Sequence, residues 1–218
     1  MIAGVDEAGR GPVLGPLVVA GVAVESDVAL RHLGVRDSKK LAPDKRAALG
    51  AEIEKVGRCE LVVVPAEQID MMRAEMSLND FEVKLFAEII AKLHPNTAYV
   101  DAVDVDEIEF KRAVQAELPF GVEIVSQHKA DELFPVVSAA SIIAKVRRDQ
   151  EMRAIEHGFG TPVGSGYASD PDTIAFLEKW IREKGTLPPH TRTSWDTARR
   201  LLAESRNRKL DEFIGGKP

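Results

Sequence analysis

MIAGVDEAGRGPVLGPLVVAGVAV, Met1–Val24, is the stretch from which the fold is best read. Met1 to Val5 is a short apolar run and predicts the first strand of a sheet. Leu17 to Val24 is rich in β-branched residues, follows Gly15-Pro16, and predicts a second strand pairing with the first. Between them, two adjacent carboxylates, Asp6 and Glu7, stand at the end of the first strand. Like charges this close repel, and if buried they require protons or cations. Gly9-Arg10-Gly11 comes next. Its glycines tolerate positive φ and leave the backbone bare to a ligand, while Arg10 adds a fork of donors suited to phosphate.

Working outward, strands first cluster and then alternate with helices. Pro43 suits a first helical position and the helix runs to Val56; Glu60 to Val64 is a third strand. From Ser77-Leu78-Asn79-Asp80, Phe81, Leu85, Phe86, Ile89, Ile90 and Leu93 follow helical spacing. Ala98 to Val103 is a fourth strand with Asp101 embedded in it, Asp106 to Leu118 a helix, and Val122 to Ser126 a fifth strand. Pro135 to Ile155 is a long helix and Gly158 to Asp170 a glycine-rich loop. Helices over Pro171–Lys184 and Thr193–Ser205 flank Pro188-Pro189. The pattern predicts an α/β fold with a mixed five-stranded sheet: early strands antiparallel, later ones reached through helical crossovers. The last two helices form a small C-terminal helical subdomain. The expected division is residues 1–170, 171–206, and a polar tail at 207–218.

Length and composition fit this. A chain of 218 residues, 44% hydrophobic and 29% charged, is one large domain or a domain with an appendage. The lone Cys59 excludes an internal disulfide framework and reads as a small core residue. Without a leader-like or membrane-length apolar run, the expectation is a cytoplasmic protein with no membrane partner, and a monomer. The net charge of −6 argues against nucleic-acid binding taken globally. A carboxylate site that holds cations removes that objection locally.

Four acids occupy strand or strand-end contexts: Asp6, Glu7, Asp101 and Asp131. A lone strand carboxylate is usually a hydrogen-bonded or edge residue. Four at the ends of separate strands can converge, and paired Mg²⁺ or Mn²⁺ is the usual reason. No His or Cys belongs to the set, which favours hard cations over zinc. Because strand neighbours face opposite ways, Glu7 joins Asp6 only if the strand ends or bends there, or it contributes its backbone carbonyl. Ser138, Ser141, Lys145 and Arg148 share one helix face. With Arg10, Lys39, Lys40 and Lys129 they line a phosphate-tracking groove, the alternative being a solvated face. Tyr167, in Gly164-Ser165-Gly166-Tyr167, either caps the core or stacks on bound nucleic acid. Leu210, Phe213 and Ile214 either dock back on their own domain or anchor in a partner's hydrophobic groove.

Taken together, the motifs resemble the type 2 ribonuclease H family (ribonuclease HII) in its archaeal form, over nearly the whole chain. They are DEAGRGP at Asp6–Pro12, DSKKL at 37–41, Asp101 in YVDAVD, HKAD at His128–Asp131, SAASIIAKVRRD at Ser138–Asp149, GSGY at Gly164–Tyr167 and Ser194-Trp195. The resemblance implies a ribonuclease H-like sheet and an endonuclease acting on the RNA strand of RNA–DNA hybrids and 5′ to single ribonucleotides in duplex DNA. Two-metal-ion catalysis would leave 3′-hydroxyl and 5′-phosphate ends, with roles in ribonucleotide excision and primer removal. It also implies that Asp6, Glu7, Asp101 and Asp131 bind metal, that Gly9, Arg10 and Gly11 sense the ribose 2′-hydroxyl, and that Tyr167 meets the RNA-to-DNA junction. Ala168 stands where the family has Pro. The tail resembles a sliding-clamp-binding motif, with Asn207 in place of Gln and Ile214 in place of an aromatic. The competing readings are a related metal-dependent DNA nuclease on this fold and a non-catalytic clamp-tethered adaptor.

Overall fold

β1 (Ile2–Ala8) and β2 (Leu17–Val24) form an antiparallel hairpin, from Ile2 opposite Val24 to Ala8 opposite Val18. The computed structural model describes the backbone of residues 1–35, 42–104 and 106–215, and side chains as far as 207. The chain continues through α1 (Val28–His32), α2 (Pro43–Val56), β3 (Arg58–Val64), α3 (Ala66–Arg73), α4 (Leu78–Leu93) and β4 (Thr97–Asp101). Then come α5 (Glu107–Ala116), β5 (Glu123–Gln127), α6 (Ala130–Leu133), α7 (Pro135–Phe159), α8 (Pro171–Lys184) and α9 (Asp196–Gly215). The strand order is β3-β2-β1-β4-β5, with β4 parallel to both β1 and β5. This is the expected mixed five-stranded sheet, with a two-strand hairpin and later strands entered through helices. Among the described residues no helix is long and apolar enough to cross a membrane.

Two compact units divide the chain. Met1–Gly9, Leu17–Val63 and Glu75–Gln150 form a sheet unit; Arg10–Pro16, Val64–Ala74 and the chain from Glu151 onward form a helical unit. The second unit is therefore discontinuous in sequence and takes up more than the last two helices.

In the sheet unit, β2 is buried along its whole length. Val18, Ala20, Val22 and Val24 pack in one cluster with α7 residues Val136, Val137, Ala140 and Ile143 and with Ile53 of α2. Gly21, of the opposite parity, faces α4: a Cβ there would stand 2.4 Å from Ile89 Cγ2 and 2.7 Å from Leu93 Cδ1. Helices thus cover both faces, which is why β2 reads as a continuous apolar run. Ser77 caps α4 by accepting from the Asp80 N–H at 3.1 Å, and Phe86 of α4 meets Phe110 of α5 edge-on at 5.4 Å. The first turns of α7, Val136 to Ala144, are buried on every side. Small residues there permit close approach, and β1 uses it: a Cβ on Gly4 would lie 2.3 Å from the Val136 carbonyl carbon.

The helical unit has its own core, in which Val13, Leu14, Val163, Leu177 and Leu201 pack together and Phe159 lies 5.0 Å from Phe176 and 5.2 Å from Trp180. Several boundaries differ from expectation. β1 runs through Asp6 and Glu7 instead of stopping before them, and α1, α3 and α6 are additional short helices. α9 extends to Gly215, through residues expected to form a tail, because no Gly or Pro interrupts it from Asp196 to Ile214. Cys59 is half-buried against the sheet-unit core, and burial, with Glu54 and Glu60 nearby, pushes its thiol up to about 11. It is an inert packing residue, as expected.

Candidate active site

The parallel pairing of β1 with β4 sets Val5 opposite Val100. One residue further along each strand are Asp6 and Asp101, at the same level on neighbouring strands and so able to face the same side. Asp131 arrives differently from expectation. It lies not at a strand end but in the short α6, entered from β5 through Lys129, whose backbone is left-handed at φ +55°. A carboxylate oxygen from each of Asp6, Asp101 and Asp131 lies within 4.8 Å of the others. Glu7 is not in this group, since an uninterrupted strand turns adjacent side chains to opposite faces.

Asp6 is only 5% exposed. Burial pushes its carboxyl up to about 7; the Ser141 hydroxyl opposes this, the Asp101 charge adds to it, and the Glu7 N–H and Lys145 ammonium oppose it again. The Glu7 N–H donates to Asp6 Oδ1 at 2.7 Å, and the Ala130 N–H donates to Asp101 Oδ1 at 3.2 Å, tying the end of β4 to the start of α6. Lys145 Nζ donates to Ser141 Oγ at 2.7 Å, and Ser138 Oγ donates to the backbone carbonyl of Asp131. These α7 residues therefore hold the acids. Ser138 and Ser141 are each 2% exposed and Arg148 is 7% exposed, so this part of the helix face is buried in the structure. A polar helix face looks the same in sequence whether it meets solvent or buried carboxylates. Lys145 is half-buried and Lys129 exposed, while Lys39 and Lys40 lie outside the described residues. The His128 ring Nδ1 sits 3.3 Å from the Ala102 carbonyl and its backbone N–H donates to Glu107 at 2.6 Å, a structural role at the end of β5.

Three convergent carboxylates, one of them desolvated and unstable as an anion beside its neighbours, fit a hard divalent cation. No nitrogen or sulfur ligand is in the group, which disfavours zinc.

In the helical unit, Arg10 and Gly11 leave β1 after Gly9, whose φ of +89° is the conformation only glycine adopts freely. Val13 and Leu14 N–H groups both donate to the Gly166 carbonyl, at 2.8 and 3.1 Å. The loop carrying Tyr167 is pinned as well. Asp170 Oδ2 accepts from the Ser165 N–H and hydroxyl, each at 2.6 Å, and the Gly166 N–H donates to Thr173 Oγ1 at 2.9 Å. These bonds hold Asp170 down at about 2. They tie together the chain on either side of Ala168, at Ser165-Gly166 and at Asp170 and Thr173. Tyr167 is 40% exposed and does not belong to the core of its unit.

The family model for ribonuclease HII matches residues 3–198. The chain belongs to the ribonuclease HII family. Ribonuclease HII of Methanoregula boonei is 47% identical over 214 residues, covering 98% of this chain and all of that one. The solved PCNA:RNase HII complex from Archaeoglobus fulgidus superposes with a TM-score of 0.87 at 46% identity, over 92% of this chain and 96% of the other. Ribonuclease H2 from Pyrococcus horikoshii gives 0.89 at 38% identity, over 94% and 98%. Membership makes the chain a ribonuclease H, an endonucleolytic hydrolase of a divalent-metal-dependent family.

Some residues that shape these regions carry little sequence signal. Asp70 of α3 accepts from the N–H and hydroxyl of both Thr193 and Ser194, at 2.6 to 3.1 Å. Burial pushes Asp70 up, and those four bonds more than offset it, so its carboxyl lies below the usual range. The polarity of Ala66-Glu67-Gln68-Ile69-Asp70 hides the helix that places it.

Proposed function

We propose that this chain cleaves the RNA strand of RNA–DNA hybrids and cuts 5′ to single ribonucleotides embedded in duplex DNA, leaving 3′-hydroxyl and 5′-phosphate ends. The convergence of Asp6, Asp101 and Asp131 within 4.8 Å carries the reading. These three hold Mg²⁺ or Mn²⁺ through carboxylate oxygens, with Glu7 joining through its backbone carbonyl or after local rearrangement. When bound, such ions supply a nucleophile at neutral pH and offset charge on the leaving oxygen. The chain's own part is to keep the acids close, exclude solvent around Asp6 and, through Ser141 and Lys145, support its ionised form. Lys129 and Lys145, with Lys39 and Lys40, meet backbone phosphates. The bare backbone of Gly9-Arg10-Gly11 reads the 2′-hydroxyl, the group that separates RNA from DNA. Tyr167 stacks at the junction.

The C-terminal residues 207–218 form a docking segment for the replication sliding clamp. Support comes from the PCNA:RNase HII complex of the Archaeoglobus relative and from Leu210, Phe213 and Ile214 falling at positions i, i+3 and i+4 of a helical backbone. The protein works as a monomer in the cytoplasm, in ribonucleotide excision and primer removal.

The test is a duplex with one ribonucleotide beside the same duplex in all-DNA form, in Mg²⁺ and in Mn²⁺, with product ends mapped. Cutting 5′ to the ribonucleotide alone is the expected result. Equal cutting of both duplexes points to a DNA nuclease instead, and binding without cleavage in either metal points to an adaptor.

A further inference from the structure

Within the helical unit, one fully buried charged side chain is committed to the turn that carries Arg10 and Gly11. Arg192 has no exposed surface. Its Nη1 donates to the Arg10 carbonyl at 2.8 Å and its Nε donates to the Gly15 carbonyl at 3.0 Å. Trp195 Nε1 donates to the Gly11 carbonyl at 3.2 Å. The guanidiniums of Arg73 and Arg192 lie 4.7 and 4.9 Å from the centre of the Trp195 ring, which restrains the indole. The backbone joins in: the Arg192 N–H donates to the Val13 carbonyl at 2.8 Å and the Gly15 N–H to the His190 carbonyl at 2.9 Å. Behind this segment stands α3, where Asp70 grips Thr193 and Ser194 and Glu67 accepts from the His190 N–H at 3.3 Å.

Burying an arginine against two neutral carbonyls is costly, and a hydrophobic residue would fill the space without that cost. What the guanidinium adds is direction. The peptide between Arg10 and Gly11 is trans, as are all peptides described, so its C=O and N–H point opposite ways. Turning the Arg10 carbonyl onto Arg192 aims the Gly11 N–H away from Arg192. Trp195 fixes the next carbonyl, and Pro12 follows with no N–H of its own. Gly11 is exposed. It thus presents one donor whose direction is set by residues nearly two hundred positions away in sequence.

We infer that Arg192 and Trp195 are positioning residues for ribose recognition: they orient the Gly11 N–H through the two carbonyls that flank it. This rests on the reading of the Gly9-Arg10-Gly11 turn as the 2′-hydroxyl sensor. Three variants separate the two ideas. Gly11→Pro removes the N–H itself, and the Cβ it adds meets only Tyr167 Cε1 at 3.7 Å. Trp195→Phe keeps the ring under the guanidiniums and removes only the donor. Arg192→Lys keeps the charge but cannot serve two carbonyls as a fork.

Binding and kcat/KM are measured on the single-ribonucleotide duplex and its all-DNA twin, beside thermal melting and Mn²⁺ affinity. Trp195→Phe and Arg192→Lys should each cut the preference for the ribonucleotide duplex by about tenfold, the worth of a charge-assisted or well-aimed hydrogen bond. All-DNA affinity and Mn²⁺ affinity should stay at wild-type values, which a merely structural loss would not achieve. If Gly11→Pro erases the preference while Trp195→Phe and Arg192→Lys keep it, the positioning inference is wrong and the sensor stands. If Gly11→Pro keeps the preference, the sensor reading itself fails and takes the inference with it.

Discussion

Asp6 and Asp170 are both aspartates near the end of a secondary-structure element, and the protein treats them oppositely. Asp6, in the sheet unit, is buried with Asp101 as its neighbour and is pushed up to about 7. Asp170, in the helical unit, is surrounded by donors from Ser165, Asp172 and Thr173 and is held at about 2. For one carboxylate the cost of burial outweighs its donors; for the other the donors outweigh its desolvation. The contrast marks a division of labour. A site that takes up a cation must be left short of compensation, whereas a loop that presents Tyr167 must be fully compensated to hold its shape.

The sharpest way to break that contrast is to remove a carboxylate from the first region. Asp101→Asn should lower cleavage of a ribonucleotide duplex by more than about 100-fold, beyond what losing an outer-shell partner of a metal costs. Its metal-free melting temperature should not fall, because the change removes a like charge beside Asp6. A variant that keeps its rate while losing stability would reverse the assignment. Next in size is Gly4→Ala. The added methyl runs into the Val136 backbone, so β1 and the start of α7 must separate, at a cost of about 1–3 kcal/mol or more by chemical denaturation. Unchanged stability would mean that the close approach holding Asp6 near Ser141 is not needed.

The pH response sharpens the comparison further. Between the ordinary value of 3.8 and about 7, native Asp6 keeps a proton that the unfolded chain has released. Its contribution to stability therefore falls as pH rises through that window in the metal-free protein. Asp170 runs the other way: its contribution is present above about 3.8 and is lost as pH falls toward 2. Denaturation of wild type and Asp6→Asn across pH 4 to 8 without divalent ions should show the Asp6-dependent slope in wild type only. Parallel curves would remove the basis for calling Asp6 under-compensated. The smallest effect belongs to Asp70→Asn, which weakens four bonds to Thr193 and Ser194 on a partly buried acid. About 1 kcal/mol is expected after solvent screening, read as a lower melting temperature with Mn²⁺ affinity intact.

Much of this was legible before any coordinates. β2, α2 and α8 begin and end where β-branched runs, Pro43 and Asp170-Pro171 place them. The mixed sheet follows from a hairpin and two later strands reached through helices. The convergence of Asp6 with Asp101 follows from adjacent acid-bearing strands. Other features stayed hidden for physical reasons. Asp131 sits in a four-residue helix, too short to leave a periodic signature. β1 continues through Asp6 and Glu7, where neighbouring side chains alternate in facing, and the group of converging acids takes in Asp6 but not Glu7. Ser138 and Ser141 belong to a helix face that meets Asp131 and Asp6, which spacing along the helix does not reveal. Arg192 lies in Pro188-Pro189-His190-Thr191-Arg192-Thr193, a polar run that reads as a surface loop, and only its guanidinium's position against two backbone carbonyls distant in sequence explains its burial.

The central claim, that Asp6, Asp101 and Asp131 form a cation site in which burial penalises the Asp6 anion, is tested most directly by titrating the metal-free protein with Mn²⁺ calorimetrically. Titrations at pH 5.5 and 7.5, in buffers of different ionisation enthalpy, compare wild type with Asp101→Asn. Wild type should bind at least about tenfold more tightly at the higher pH and release protons on binding at the lower one, as a carboxyl must ionise to ligate. Asp101→Asn should lose that binding. Wild-type affinity in Asp101→Asn, with no proton release at either pH, would contradict the account.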